Sequence, residues 1–133
     1  MALGAWGAHG LDGTLAEIYG ETAREATLPG QPPQLAAAKY RGDFLTGVRY
    51  QMTHAVALLG LLALPHRTRS LAVAGWCWVA GTVIFSGSLY ALVLTATPRW
   101  GAVTPIGGVL LLVGWAAVAI AAFQVPRTVP GRG

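Results

Sequence analysis

LAVAGWCWVAGTVIFSGSLYALVL, residues Leu71–Leu94, contains no charged side chain. As a helix rising 1.5 Å per residue it would be about 36 Å long, slightly more than the roughly 30 Å hydrocarbon layer of a bilayer. A helix buried in a soluble protein would be shorter and would leave a polar stripe toward water, and this run has none. It reads as a membrane-crossing helix. Two tight breaks flank it, PHRTRS (Pro65–Ser70) and TATPRW (Thr95–Trp100). Each holds a proline that stops a helix and at least one arginine that meets lipid headgroups. Beyond the breaks lie two more apolar runs, FLTGVRYQMTHAVALLGLLAL (Phe44–Leu64) and GAVTPIGGVLLLVGWAAVAIAAF (Gly101–Phe123). Connections this short make successive spans antiparallel neighbours. The fold class expected is therefore all-α, an integral membrane antiparallel helix bundle with three complete transmembrane helices.

Composition agrees with that reading. Of the 133 residues, 54% are hydrophobic and only 11% charged, whereas a soluble domain carries about 25% charged residues. Mean hydropathy is +0.54. The net charge of +4 comes from basic residues standing singly at the ends of apolar runs, so no nucleic-acid partner is expected. The partner expected first is the lipid bilayer, and after it a second copy of the chain or another membrane protein. Cys77 is the single cysteine, which excludes an intramolecular disulfide and Cys₂ or Cys₄ metal sites. No cofactor or metal motif is present.

The whole chain reads as one membrane domain. Residues 11–43 form an amphipathic linker near the headgroups, with Leu15, Ile18 and Leu28 among acids, PGQPPQ (Pro29–Gln34) as a break, and Gly42 as a weak point in the renewed helical pattern. Residues 1–10 resemble the last turns of a membrane helix, and 124–133 form a polar tail rich in Pro and Gly.

The polar residues inside the spans gather at one depth. Measured from the Pro65–Ser70 face, Arg49 and Ser86 lie about 22 Å deep, Gln51 about 20 Å, and Ser88, Tyr90 and Thr104 about 26–29 Å. His54 lies about 15 Å deep, near mid-bilayer. Tyr50 and Gln51 share a helical face with His54, and Ser86 shares one with Tyr90, by i,i+3 and i,i+4 spacing. The candidate intramembrane polar cluster is therefore His9, Arg49, Tyr50, Gln51, His54, Ser86, Ser88, Tyr90 and Thr104. Arg49 reads either as an inward-facing charge, whose cost in lipid Ser86, Ser88 or helix-end carbonyls would reduce, or as an interface anchor whose head snorkels to the headgroups. A neutral imidazole at the depth of His54 requires a hydrogen-bond partner. Trp76, Trp78, Trp100 and Trp115 read as interfacial or packing residues. Pro105, five residues into its run, costs little there because it lacks only an amide hydrogen.

Four stretches together carry a resemblance: GAWGAHGL (residues 4–11), TGVRYQMTHAVALL (46–59), FSGSLYAL (85–92) and GAVTPIGGVLLLVGW (101–115). In order and spacing they resemble the membrane proteins of domain-of-unknown-function family 423, whose eukaryotic members are called transmembrane-protein-256-like. The resemblance implies a four-helix membrane protein without an assigned biochemical activity. It also implies that Ala2–Gly10 is the C-terminal end of a first helix, with His9 closing it, and that a start assigned too far downstream removed the rest. The linker REATLPGQPPQ is longer than the family pattern.

No nucleophile–base set, phosphate loop or carboxylate pair lies in the spans, so no enzyme is expected. The expected function is that of a structural or interaction component of the membrane, whose polar cluster fixes helix register. The alternative is a small oligomeric transporter or channel subunit for an ion, proton or small solute, with His54 beneath a polar vestibule. The expected location is the bacterial plasma (inner) membrane.

Overall fold

The computed structural model describes residues 10–26, 33–65 and 68–124, with the side chains of all but 20–26 and 33–37. His9, the rest of the Gly-Ala-His-Gly end and the C-terminal tail beyond Gln124 lie outside the described residues. Four α-helices follow one another: α1 (Leu11–Ala26), α2 (Pro33–Ala63), α3 (Arg69–Thr95) and α4 (Thr104–Gln124), with a 3-10 turn at Pro98–Ala102 before α4.

The boundaries follow local chemistry. Proline suits the first turn of a helix because its missing N–H has no intrahelical partner there, and Pro33 opens α2. Thr68 caps α3, its hydroxyl accepting from the Leu71 amide at 3.2 Å. α3 ends where Ala96 turns left-handed, φ 50°. Pro105 lies in the first turn of α4 rather than within it, so its missing amide costs no hydrogen bond and causes no kink.

α3 is central, with α2 on one flank and α4 on the other. The α3–α4 register is antiparallel: Trp78 meets Gly114, Gly81 meets Leu111 and Phe85 meets Gly107. Ser70 at the start of α3 donates to Gln124 at the end of α4, 3.0 Å away. The stripe that α4 buries is small, Gly107, Leu111, Gly114, Ala117 and Ala121. Helices in lipid gain little from burying apolar surface against each other, so close backbone approach and van der Waals contact take its place. The large apolar side chains point outward instead, with Leu112 69% and Phe123 86% exposed.

Among the described residues two helical stretches are long and apolar enough to cross a membrane, Arg69–Thr95 and Pro98–Gln124. Of the three complete transmembrane helices expected, α3 and α4 meet that measure and α2 does not. Arg49, Gln51 and His54 dilute the apolar half of α2 below that of its neighbours. α2 also begins well before Phe44 and passes through Gly42 without a break.

α1 packs on the bundle rather than lying apart from it. Leu11, Leu15 and Tyr19, spaced i,i+4,i+8, bury against Tyr40 and Phe44 of α2 and Leu92 and Val93 of α3. Tyr19 stacks on Tyr40, ring centroids 4.4 Å apart, and its hydroxyl donates to the Val93 carbonyl at 2.7 Å. Arg41 of α2 pairs with Asp12 at 2.9 Å. Burial pushes the Tyr19 phenol above its ordinary range, and Tyr40 and Asp43 add to the shift. Its folded value exceeds the unfolded one, so the contribution of Tyr19 is complete below about pH 10 and declines as pH rises beyond it. Protease protection of α1 is expected to fall above about pH 10 in the native chain. In Tyr19→Phe, about 1 kcal/mol less stable, the same assay should give a flat profile across that range.

Candidate functional site

The polar groups of α2, α3 and α4 form a ladder of cross-helix hydrogen bonds. At its centre the Ser86 hydroxyl, 3% exposed, donates to the Gly47 carbonyl at 2.8 Å. Glycine is needed there, since a β-carbon would stand 2.9 Å from Cε1 of the Tyr90 ring. One turn along α3, the Tyr90 hydroxyl donates to Gln51 Oε1 at 2.7 Å.

On the other side of α3, Ser88 Oγ and Thr104 Oγ1 are 2.8 Å apart, and Ser88 lies 2.9 Å from the Phe85 carbonyl. Each hydroxyl has one proton. The shortest chain runs from Thr104 to Ser88 to the Phe85 carbonyl.

His54 forms the rung that joins α2 to α4. It is 3% exposed, with Nδ1 2.8 Å from the Tyr50 carbonyl and Nε2 accepting from Trp115 Nε1 at 3.2 Å. A carbonyl on one side and an N–H on the other assign the proton to Nδ1, from the hydrogen-bond network. Both ring nitrogens are satisfied in the neutral form. Around the imidazole stand Tyr50, Trp78 and Trp115, with centroids 6.0, 6.0 and 6.2 Å away. Trp78 is buried against Gly114, and its Nε1, like Thr82 Oγ1, has no hydrogen-bond partner among the described residues.

Seven of the nine residues expected in the cluster thus come together: Tyr50, Gln51, His54, Ser86, Ser88, Tyr90 and Thr104. His9 lies outside the described residues. Arg49 does not join. It is exposed and makes no hydrogen bond or ion pair among the described residues, which corrects the expectation that it faces Ser86. The reason is helical phase. α2 turns Gly47 toward α3, and two residues further on, at about 100° per residue, Arg49 points to the opposite side. Depth was matched but direction was not, and Ser86 takes the Gly47 carbonyl instead.

Trp115 and Trp78 went unrecognised as members of the site. From the Pro65–Ser70 face they lie about 12 Å and 10 Å deep, close to the 15 Å of His54, so the depth argument applied to the polar residues could have found them. Among the described residues no three His, Cys, Asp or Glu side chains gather where they could hold a metal ion.

A chain with four helices among its described residues, two of them apolar enough to cross a bilayer, and with its inner polar groups bonded from one helix to the next, is a small integral membrane protein. It belongs to the family described as "Protein of unknown function (DUF423)", whose model matches residues 3–108. It is similar to a UPF0382 membrane protein of Staphylococcus aureus (strain bovine RF122 / ET3-1), 40% identical over 126 residues that cover 93% of this chain and 85% of the relative. It is also similar to UPF0382 membrane protein YwdK of Bacillus subtilis (strain 168), 36% identical over 93% of this chain and 86% of the relative. UPF0382 inner membrane protein YgdD of Escherichia coli (strain K12) is 36% identical, over 96% of this chain and 82% of the relative. No solved structure matches the chain. With relatives named for the membrane and helices of this kind, the protein is integral to the bacterial plasma (inner) membrane.

Proposed function

We propose that the protein is a structural or interaction component of the plasma membrane and not an enzyme, a bundle that crosses the bilayer three times with its polar ladder fixing helix register. The observation that carries this reading is that the ladder groups have partners within the bundle, with Trp78 Nε1 and Thr82 Oγ1 the buried side-chain atoms left without one among the described residues. Ser86, Ser88, Tyr90, Thr104 and both nitrogens of His54 already have partners within the bundle. A transport path would need polar groups turned toward a channel. α2 serves as the third crossing because Gln51 bonds to Tyr90 of α3 and His54 to Trp115 of α4, which offsets the cost of placing those two side chains in lipid. Arg49, on the outer side of α2, is the point at which another membrane protein or a second copy would be engaged.

Such bonds average about 0.6 kcal/mol each in membranes, so they set alignment more than bulk stability. Ser86→Ala combined with Tyr90→Phe is expected to lower unfolding resistance in detergent by about 1 kcal/mol. Arg49→Ala should leave it within about 0.5 kcal/mol while changing the oligomeric state or the set of co-purifying proteins. Proteoliposomes of the unaltered protein should show no ion, proton or small-solute flux from about pH 5 to 8. Flux above that of protein-free vesicles would replace this reading with that of a transporter or channel subunit.

A further inference from the structure

At the end of the bundle away from the Pro65–Ser70 turn, an open groove of about 370 Å³ runs over α3 between α2 and the start of α4. Its walls are Phe85, Leu89 and Leu92 of α3 with Gly101, Thr104 and Pro105, and Lys39 and Asp43 of α2 stand at its edge. Depth places the two kinds of lining in two media. Phe85 and Leu89 lie about 21 and 27 Å from the opposite face, within the roughly 30 Å hydrocarbon layer, whereas Asp43 and Lys39 lie about 31 and 37 Å from it, at headgroup level.

We propose that this groove is a binding site for one zwitterionic phospholipid bearing a primary ammonium group, its phosphate on Lys39, its ammonium on Asp43 and the upper part of one acyl chain against Phe85 and Leu89. Charge complementarity selects the occupant. Lys39 Nζ and Asp43 Oδ2 are 3.1 Å apart, a pair with no net charge. An anionic lipid offers Lys39 a phosphate but leaves Asp43 facing a negative group. A zwitterion lies along the pair with each end opposite its counter-charge.

Both side chains have capacity left. The ammonium of Lys39 has three N–H donors and gives one to Asp43, and a carboxylate accepts at several positions. A primary ammonium donates hydrogen bonds to a carboxylate, while a trimethylated choline has none to give, so Asp43 discriminates between the two headgroups. By contrast, the groove at the other end of the bundle, lined by Leu58, Leu61, Leu71 and Trp76, holds no charged side chain among the described residues.

Native mass spectrometry of the full chain, titrated with phosphatidylethanolamine, phosphatidylcholine and phosphatidylglycerol, tests the proposal. Phosphatidylethanolamine is expected to be retained roughly two- to fivefold over either of the others, the scale of a solvent-exposed ion pair. Asp43→Asn should bring it level with phosphatidylcholine, Asp43→Glu should keep the preference, and Lys39→Gln should weaken all three phospholipids. Circular dichroism should show unchanged helix content in each variant, since both side chains are partly exposed. Equal retention of the two zwitterions by the unaltered chain would overturn the proposal, as would a preference that survives in Asp43→Asn. Displacement of the lipid by soluble phosphoethanolamine at equal concentration would also overturn it, because the apolar walls would then contribute nothing.

Discussion

Gly107→Ala is expected to push α3 and α4 apart and to cost roughly 2–3 kcal/mol of unfolding resistance, at the upper end of what overpacking does in well-fitted interiors. A β-carbon on residue 107 would stand 2.7 Å from Cα of Phe85 and closer still to its nitrogen. The obstacle is backbone, so no rotamer change relieves it and a helix axis must move. Thr104 is one turn away on the same face, so the Ser88–Thr104 bond of 2.8 Å is lost with the displacement. Gly114 is nearly as tight, with its would-be β-carbon 2.5 Å from Trp78 Nε1. Gly60 and Gly87 are the controls, since a β-carbon there meets nothing within 4 Å. Alanine at those two positions should be neutral or stabilising by up to about 1 kcal/mol, the usual gain over glycine inside a helix. Denaturant titrations of the four alanine variants in one detergent decide the matter. Similar midpoints for all four would mean that the helices do not meet as closely as these contacts require.

His54→Ala should be the most damaging change in the polar ladder. It empties a buried position beside Trp78 and leaves the Trp115 N–H without its acceptor. Loss of packing and one hydrogen bond together amount to about 2–3 kcal/mol. Trp115→Phe removes only the donor while keeping an aromatic ring. A double-mutant cycle between the two should return a coupling of about 0.6–1.7 kcal/mol, the range measured for hydrogen bonds between membrane helices. Strict additivity would show that His54 and Trp115 are neighbours without being partners, and α2 would then lose its one described link to α4 through the ladder.

Much of the architecture could be read before any coordinates. The uncharged runs defined α3 and α4, the Pro and Arg breaks defined their ends, and depth alone gathered Ser86, Ser88, Tyr90 and Thr104 at one level. Direction around the helix axis was the harder quantity. Which side of α2 meets α3 is decided by Gly47, and a missing side chain leaves no mark on a hydropathy pattern. An error of two residues in that choice turned Arg49 inward on paper and outward in the molecule. The tryptophans were hidden for another reason. An indole near a membrane boundary is so commonly an anchor that its N–H is easily overlooked as a donor. Leu15 signalled the apolar face of α1, but the strongest contact of that helix is made by Tyr19. Its hydroxyl counts as polar in sequence and as a buried donor to Val93 in the fold.

The length of α2 has a mechanical consequence. At 31 residues it measures about 46 Å, roughly 16 Å more than an oily layer, so in the proposed three-span arrangement one end would stand in water as a rigid arm. Such an arm would swing whenever the surrounding lipid thickened or thinned, because mismatched helices respond by tilting. α1 closes a triangle with that arm and the far tip of α3, through the Asp12–Arg41 pair at one corner and the Tyr19–Val93 bond at another. In that arrangement it would act as a strut, holding the crossing angle of the two rods against deformation of the bilayer around them.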